Sequence, residues 1–174
     1  MLRSTSYRDV KVIDIARDAG TSPATFYQYF PDVETAILVL AEEMSEDGQR
    51  LSALIRERTW RGKAGLETAT QLCDAFFAFW EEYRSILRVM DLATDEGDRR
   101  FHQIRTRLLN EVTVALTDTI TQFKDSGRHP ADVDPTATAA VLVSMLAHVA
   151  AHQYGFEFRG IRTTKLRDSM SRQI

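Results

Sequence analysis

Residues 12–32 read VIDIARDAGTSPATFYQYFPD, and this stretch decides how the beginning of the chain folds. Its first half carries small apolar residues at helical spacing: Val12, Ile15, Ala16 and Ala19. This spacing predicts a short amphipathic helix. Gly20 then suits a left-handed turn, and Ser22 followed by Pro23 is the start signal of a second short helix.

The second short helix, residues 23–29, has an inner and an outer face. Phe26 and Phe30 are four residues apart and are expected to face inward. The outward positions then carry side chains with hydrogen-bonding groups: Thr25, Tyr27, Gln28 and Tyr29. Two short helices joined by a glycine-containing turn are typical of a helix-turn-helix, whose second helix enters the major groove of DNA.

The spacing of this stretch also points to a family. Between residues 15 and 30 the chain shows the pattern IA..AG.S..T.Y.YF. This pattern resembles the DNA-binding signature of the TetR family of transcriptional regulators. The resemblance implies a one-component regulator, usually a repressor, that acts as a homodimer on a palindromic operator in duplex DNA. It also implies that a small molecule bound in the helical body releases the operator.

The resemblance assigns roles to particular positions of the signature. Tyr27 and Tyr29 match outward family positions that touch phosphates or base edges. Gln28 lies between them, where family members vary and read the sequence. Thr25 matches a hydroxyl that faces phosphate, and Ser22 matches the cap of the recognition helix.

The start of the chain departs from the family pattern. Residues 1–31 carry four basic and three acidic residues, a net charge of +1, with Lys11 as a further DNA-binding candidate. Val33 stands where the family often has a phosphate-binding lysine. Family members also have a full helix before the signature, packed behind it, whereas only residues 1–6 precede Tyr7 here. The alternative is therefore a degenerate relative that dimerises and binds a small molecule without binding DNA.

Composition restricts the class of protein. The chain has 174 residues, enough for one or two domains. Its composition, with 44% hydrophobic and 27% charged residues, excludes wholesale disorder. The single cysteine, Cys73, excludes an internal disulfide and a cysteine-rich zinc site, and it favours a reducing cytoplasm. The net charge of −3 argues against an indiscriminate polyanion binder, but it leaves room for a sequence-specific DNA reader.

Hydrophobic periodicity predicts an all-α fold. The predicted helices are residues 10–19, 23–29, 32–57, 63–83, 85–94, 98–125, 135–154 and 163–172. We expect residues 1–31 to form the helix-turn-helix module and residues 32–174 to form a ligand-binding and dimerisation domain. Helix 32–57 would be a strut that both share.

Aromatic and other large apolar residues of the body predict an apolar pocket between helices. The candidate ligand-binding residues are Phe76, Trp80, Met90, Phe101, Ile104, Leu108 and Met145. A small apolar effector would suit them, since ligand sites in helical proteins often lie between helices. The alternative is that they are only core residues.

The stretch 137–151 is apolar nearly all round, which predicts burial on more than one side. Ala140, Ala147 and Ala151 are small enough for a second copy to approach, and segment 163–172 is expected to join this interface. The alternative is a central helix in a monomer. The stretch is shorter than the roughly 20 residues of a membrane span, so no membrane partner is expected.

Signals for chemistry are weak. His148 and His152 share a helix face, but a metal would need a third ligand, so they are interpreted as polar groups at a dimer face or pocket edge. A glycine-rich phosphate loop and the G-x-S-x-G and H-E-x-x-H motifs are absent from the sequence. We therefore predict no catalytic residues, no metal and no cofactor.

Overall fold

The computed structural model describes Leu2 and residues 7–174, and this part of the chain is helical without a β-strand. A short 3-10 helix, Tyr7–Asp9, comes first. The α-helices are α1 Val12–Asp18, α2 Pro23–Tyr29, α3 Val33–Asp47, α4 Gln49–Glu57, α5 Gly62–Asp95, α6 Arg99–Asp125, α7 Pro135–Phe158 and α8 Thr163–Met170. The all-α prediction is confirmed.

Helix α5 is one continuous helix of 34 residues. The predicted break between residues 83 and 85 is wrong, because the chain has no glycine or proline between residues 66 and 96 to interrupt the hydrogen bonds. Buried side chains also continue on both sides of the predicted break, with Phe79 before it and Leu87 after it.

The predicted strut 32–57 is divided at Gly48 into α3 and α4. The backbone of Gly48 keeps helical angles (φ −60°, ψ −17°), and Leu51 N–H donates to the Gly48 carbonyl at 3.0 Å. The division is therefore a local tightening of the hydrogen-bond pattern, which glycine tolerates easily.

Helix α7 begins as predicted and ends later. Asp134 caps it by accepting a hydrogen bond from Ala137 N–H at 2.9 Å, and Pro135 occupies its first turn. The helix then continues through Gly155 to Phe158. With 24 residues it is long and apolar enough to cross a bilayer, a test that core helices also pass, and 28% of its most apolar window is buried within the chain.

The chain separates into two compact units. The first unit runs to Glu46 and also includes Tyr83–Arg105, and the second comprises Asp47–Glu82 and Thr106–Ile174. The first unit buries Ala16, Phe26, Ile37, Ala41, Met44, Leu87, Val89, Met90, Ala93, Phe101 and Ile104. The second unit buries mainly residues of α5, α6 and α7, among them Leu72, Phe76, Val112, Leu116, Leu142 and Leu146. The functional boundary at residue 31 stays a prediction.

Candidate nucleic-acid interface

The turn between α1 and α2 is closed by backbone hydrogen bonds. Gly20 has φ +63°, a left-handed conformation that glycine adopts without steric cost. Gly20 N–H donates to the Arg17 carbonyl at 3.1 Å, and Thr21 N–H donates to the Ala16 carbonyl at 2.8 Å. These bonds satisfy carbonyls at the end of α1 and fix the direction in which the chain leaves it.

The start of α2 is fixed by Ser22. Its backbone is extended, and its Oγ accepts a hydrogen bond from Thr25 N–H at 3.1 Å. Pro23 occupies the first turn, where a missing N–H costs nothing. The predicted role of Ser22 as a cap is thus present in the geometry.

Helix α2 has the two faces that its sequence predicts. Phe26 is buried, and its ring lies 5.4 Å from the ring of Phe30 and 5.7 Å, edge-on, from the ring of Tyr27. Tyr27 is 58% exposed, Tyr29 is 74% exposed and Gln28 is also exposed. The aromatic anchor therefore holds the helix while three neighbouring polar side chains face solvent.

Thr25 and Lys11 differ in how freely they can meet DNA. Thr25 is half-buried, and its hydroxyl lies 2.9 Å from Ser22 Oγ, so it already has one hydrogen-bond partner. Lys11 is exposed immediately before α1. The structure brings the predicted residues to one module, and their contact with DNA stays a prediction.

Ion pairs reduce the positive charge of this module. Arg17 pairs with Asp14 at 2.7 Å, and Arg8 pairs with Glu96. Within residues 7–31, Lys11 is then the basic residue without a carboxylate partner in the described part of the chain. Sequence reasoning gave the net charge but missed this pairing, which depends on Glu96, a residue distant in sequence.

The start of α3 is held by hydrogen bonds and by charges. Asp32 Oδ1 accepts a hydrogen bond from Thr35 N–H at 2.7 Å, and this bond lowers the pKa of the Asp32 carboxyl. Glu34 pairs with Arg100, which also contacts Asp98 at 2.7 Å. The hydrogen bond from Arg100 holds the pKa of Asp98 well below its usual range. The connection after the module is therefore fixed to the first turn of α6.

An apolar cavity of about 700 Å³ lies behind the module, inside the first unit. Its walls include Ile15 and Ala16 of α1, Phe26 of α2, Phe30, and Ile37 of α3. Val33 also lines it, so the position that often holds lysine in the family is directed toward apolar surroundings. Sequence reasoning did not find this cavity, because its walls come from four helices, α1, α2, α3 and α5.

The predicted ligand-binding residues are divided between the two units. Met90, Phe101 and Ile104 belong to the first unit, and the second contains Phe76, Trp80, Leu108 and Met145. Five of the seven are buried, whereas Trp80 and Met145 are half-buried. None of them lines the apolar cavity behind the module, the polar cavity around Arg58 and Trp60, or the polar cavity around Tyr7 and Glu96. Their contact with a ligand stays a prediction.

Residues 51–174 match the family model described as the tetracyclin repressor-like, C-terminal domain. The chain belongs to the TetR family. The matched residues begin after the signature at residues 12–32, so the two observations rest on different parts of the chain. The predicted resemblance is confirmed.

A curated protein with a similar sequence is also a transcriptional regulator. A curated relative from Haemophilus influenzae, an uncharacterized HTH-type transcriptional regulator, is 25% identical over 115 residues. That alignment covers 66% of this chain, which spans 55% of the relative's length.

Solved structures show the same TetR-family fold. The fatty acid degradation regulator FadR from Bacillus halodurans matches with a TM-score of 0.71 and 18% identity, over 98% of this chain and 86% of that chain. FadR from Bacillus subtilis, solved in complex with stearoyl-CoA, matches with a TM-score of 0.69 and 18% identity, over 95% of this chain and 87% of that chain. Salmonella enterica GusR matches with a TM-score of 0.66 and 16% identity, over 99% of this chain and 88% of that chain.

Helix α7 of this TetR-family chain carries the three predicted interface alanines. Ala140 is exposed, and Ala147 and Ala151 are half-buried in the single chain. On the same helix Val141 is 68% exposed and Phe158 is 93% exposed. Apolar surface thus stays exposed along α7, although six of its residues are buried within the chain.

The two histidines of α7 contact each other. The rings of His148 and His152 stack with centroids 4.1 Å apart, and His152 Nδ1 lies 2.9 Å from the His148 carbonyl. Within the described residues, no group of three or more histidine, cysteine or acidic side chains could hold a metal ion.

Proposed function

We propose that the chain is a ligand-responsive DNA-binding regulator that acts as a homodimer in the cytoplasm. The observation that carries this proposal is the build of α2, where buried Phe26 anchors a helix whose Tyr27, Gln28 and Tyr29 face solvent. The capped start of α2 fixes its direction, which supports insertion into a groove. Membership of a family of regulators supports the same function.

The proposed DNA complex follows from dimer symmetry. Each α2 enters a major groove on one face of the duplex, so the half-sites lie about one helical turn, roughly 34–36 Å, apart. Tyr27 and Tyr29 position the helix through phosphate contacts, which carry little sequence information. Gln28 reads a base edge, and adenine is the natural partner for its amide.

The proposed dimer forms through α7, with α8 beside it. Val141 and Phe158 leave apolar surface in water, and only 28% of the most apolar window of α7 is buried. Contiguous exposed apolar surface marks interaction sites, and identical chains usually assemble around a two-fold axis. The small side chains of Ala140, Ala147 and Ala151 allow a second helix to approach closely.

The proposed effector is a molecule with a large apolar part, bound near Phe76 and Trp80. It releases a repressor from its operator by changing the separation of the two recognition helices. A similar structure was solved with stearoyl-CoA, so acyl-CoA thioesters are the first compounds to test. Trp80 fluorescence should respond to the effector, and larger side chains at positions neighbouring Trp80 should abolish the response while the helical content stays unchanged. A response that survives such substitutions would place the effector elsewhere.

A second candidate function is that of a relative that dimerises and binds a small molecule without binding DNA. Weak positive charge on the module, with Arg17 paired to Asp14, favours it, because phosphate contacts supply much of the affinity for DNA.

Selection of DNA from a random duplex library separates the two functions. The library is presented at fixed salt to the 174-residue chain and to a form extended upstream by a family-type first helix. Enrichment of one palindrome by either form supports the regulator. If only the extended form selects a palindrome, the helix-turn-helix module requires the added first helix in order to bind DNA. If neither form prefers a palindrome to random DNA, the second function holds.

A further inference from the structure

A basic cavity of about 610 Å³ lies in the second unit, where α4 ends, α5 begins and α6 ends. Four arginines line it, Arg56, Arg58, Arg61 and Arg128, and Asp118 is the one carboxylate among its lining residues. The whole chain is net acidic, with 25 acidic and 22 basic residues. Positive charge is therefore concentrated here against the average of the molecule.

Three of the four arginines have no carboxylate partner within residues 7–174. Arg56 is engaged, since it lies 3.8 Å from Glu111 and donates to Ser52 Oγ at 3.1 Å. Across residues 7–174 the ion pairs of the structure do not include Arg58, Arg61 or Arg128. Each guanidinium carries five N–H donors and keeps its charge at any physiological pH, so the cavity offers more charged donors than Asp118, its one lining carboxylate, can match.

The segment that carries Arg58 and Arg61 is held in place by the protein itself. Trp60 Nε1–H donates to the Ile55 carbonyl at 2.9 Å, and the buried Thr68 hydroxyl donates to the Thr59 carbonyl at 2.8 Å. A site whose backbone is already ordered loses less entropy on binding than a mobile loop does.

Close packing against α5 gives this segment a second restraint. Gly65 approaches the backbone of Trp60 so closely that a Cβ on residue 65 would lie 2.7 Å from the Trp60 carbonyl carbon. Gly65 N–H also donates to the Arg61 carbonyl at 3.0 Å. The two arginines therefore extend from a backbone that α5 fixes on its own.

Aromatic rings complete the walls of this cavity. Trp60 and Phe123 both line it, and the Arg128 guanidinium lies 5.7 Å from the centre of the Phe123 ring. Ligand pockets of about 300–1,000 Å³ commonly combine apolar walls with a few fixed polar groups. Planar guanidinium groups match the geometry of phosphate oxygens and form strong charge-assisted hydrogen bonds with them.

We propose that this cavity binds a small phosphorylated molecule with two or more negative charges, held by Arg58, Arg61 and Arg128. The proposal goes beyond the DNA-binding function and does not depend on it. Arg58 and Arg128 also follow the C-terminal ends of α4 and α6, where cations interact favourably with the helix dipole. A purely structural role would affect stability and would give no saturable binding of phosphate.

Calorimetric titration of the full chain with inorganic pyrophosphate tests the proposal, with sodium chloride at equal ionic strength as the blank. We expect saturable binding with one site per chain. Titration with ADP, which has the same number of phosphates as pyrophosphate, distinguishes the source of the phosphate: tighter binding than pyrophosphate indicates a base stacked on Trp60, and equal binding indicates recognition of phosphate alone. Absence of saturation with both compounds overturns the proposal.

Paired variants locate the site. R58Q/R61Q should weaken pyrophosphate binding at least about tenfold, because each lost charge-assisted hydrogen bond is among the strong ones. The control R88Q/R99Q makes the same charge change at exposed arginines outside the cavity and should leave binding unchanged. R128Q probes the opposite wall and serves if R58Q/R61Q loses its circular dichroism. Equal weakening by the control overturns the proposal.

Discussion

Tyr27, Gln28 and Tyr29 are adjacent in sequence, yet they have different expected roles on DNA. All three face solvent from a helix that Phe26 anchors. A phenol that meets phosphate contributes to every complex equally, whereas an amide that meets a base edge contributes only where the base fits. The difference between positioning and reading can therefore be measured one residue at a time.

Tyr27→Phe and Gln28→Ala should weaken DNA binding in different ways. Tyr27→Phe removes one hydroxyl and should reduce affinity for all sequences alike. Gln28→Ala should cost about 1–3 kcal/mol at the preferred site and relax the preference at one base pair. Fluorescence anisotropy on the selected palindrome and on random DNA, at one salt concentration, measures both. A uniform loss for Gln28→Ala would contradict its role as the reading residue.

Cys73 should be unreactive in the folded protein. Its side chain is fully buried, and burial, with a smaller effect from Asp74, raises the pKa of its thiol to about 12. The reactive form is the thiolate, so a thiol-specific disulfide reagent at pH 8 should label the native chain very slowly. The same chain in denaturant should give one equivalent at once. Rapid labelling of the native chain would show that α5 opens locally.

At the scale of the element, two glycines show how context changes a substitution. Gly65 meets the Trp60 backbone, whereas a Cβ on Gly155 of α7 would have nothing within 4 Å. Gly65→Ala should therefore lower the urea midpoint in spite of its better helix propensity. Gly155→Ala should raise stability by about 1 kcal/mol through that propensity. Trp60 fluorescence should shift only in the Gly65 variant, and a stabilised Gly65→Ala would disprove the close approach.

The starts of α3 and α6 should make the first unit sensitive to acid. The hydrogen bond from Arg100 lowers the pKa of Asp98, and the Thr35 N–H lowers that of Asp32. Carboxyls with a depressed folded pKa contribute stability above their unfolded pKa and lose it as the pH falls through the folded pKa. Unfolding followed by circular dichroism should show a loss of stability below about pH 4, the usual carboxyl range.

The variant Asp98→Asn is the control for this acid sensitivity. Asparagine keeps an oxygen for the Arg100 N–H, which Asp98 accepts at 2.8 Å, but it no longer titrates. The variant should be less stable than the parent at pH 7 and should lose less stability between pH 4 and pH 2. Equal losses for both proteins would assign the acid sensitivity to other groups.

At the scale of the whole molecule, most of the apolar surface of α7 is left uncovered by the rest of the chain. Ala147 is half-buried in the single chain and would be fully buried in the proposed dimer. Ala147→Glu would then bury a charge without a partner and should split the dimer. Ala131→Glu, in the exposed connection before α7, is the matched control. Light scattering that finds a stable parent monomer at micromolar concentration would contradict the dimer.

The sequence by itself determined the helical class, the capped start of α2 and the faces of that helix. These features follow from local rules: Ser22 and Pro23 act on the next turn, and Phe26 and Phe30 meet because they are four residues apart. The family signature also lies within one short stretch. The predicted break near residue 84 was wrong. No local helix breaker exists there, and buried side chains continue on both sides.

Only the tertiary structure decided which groups meet across the chain. The pairing of Arg8 with Glu96, the apolar cavity behind the module and the basic cavity each join residues from separate segments of the chain. Periodicity shows that Arg58, Arg61 and Arg128 are polar positions, but it does not show that they share one cavity. Such sites depend on distances between helices, and a single sequence records only the spacing within each one.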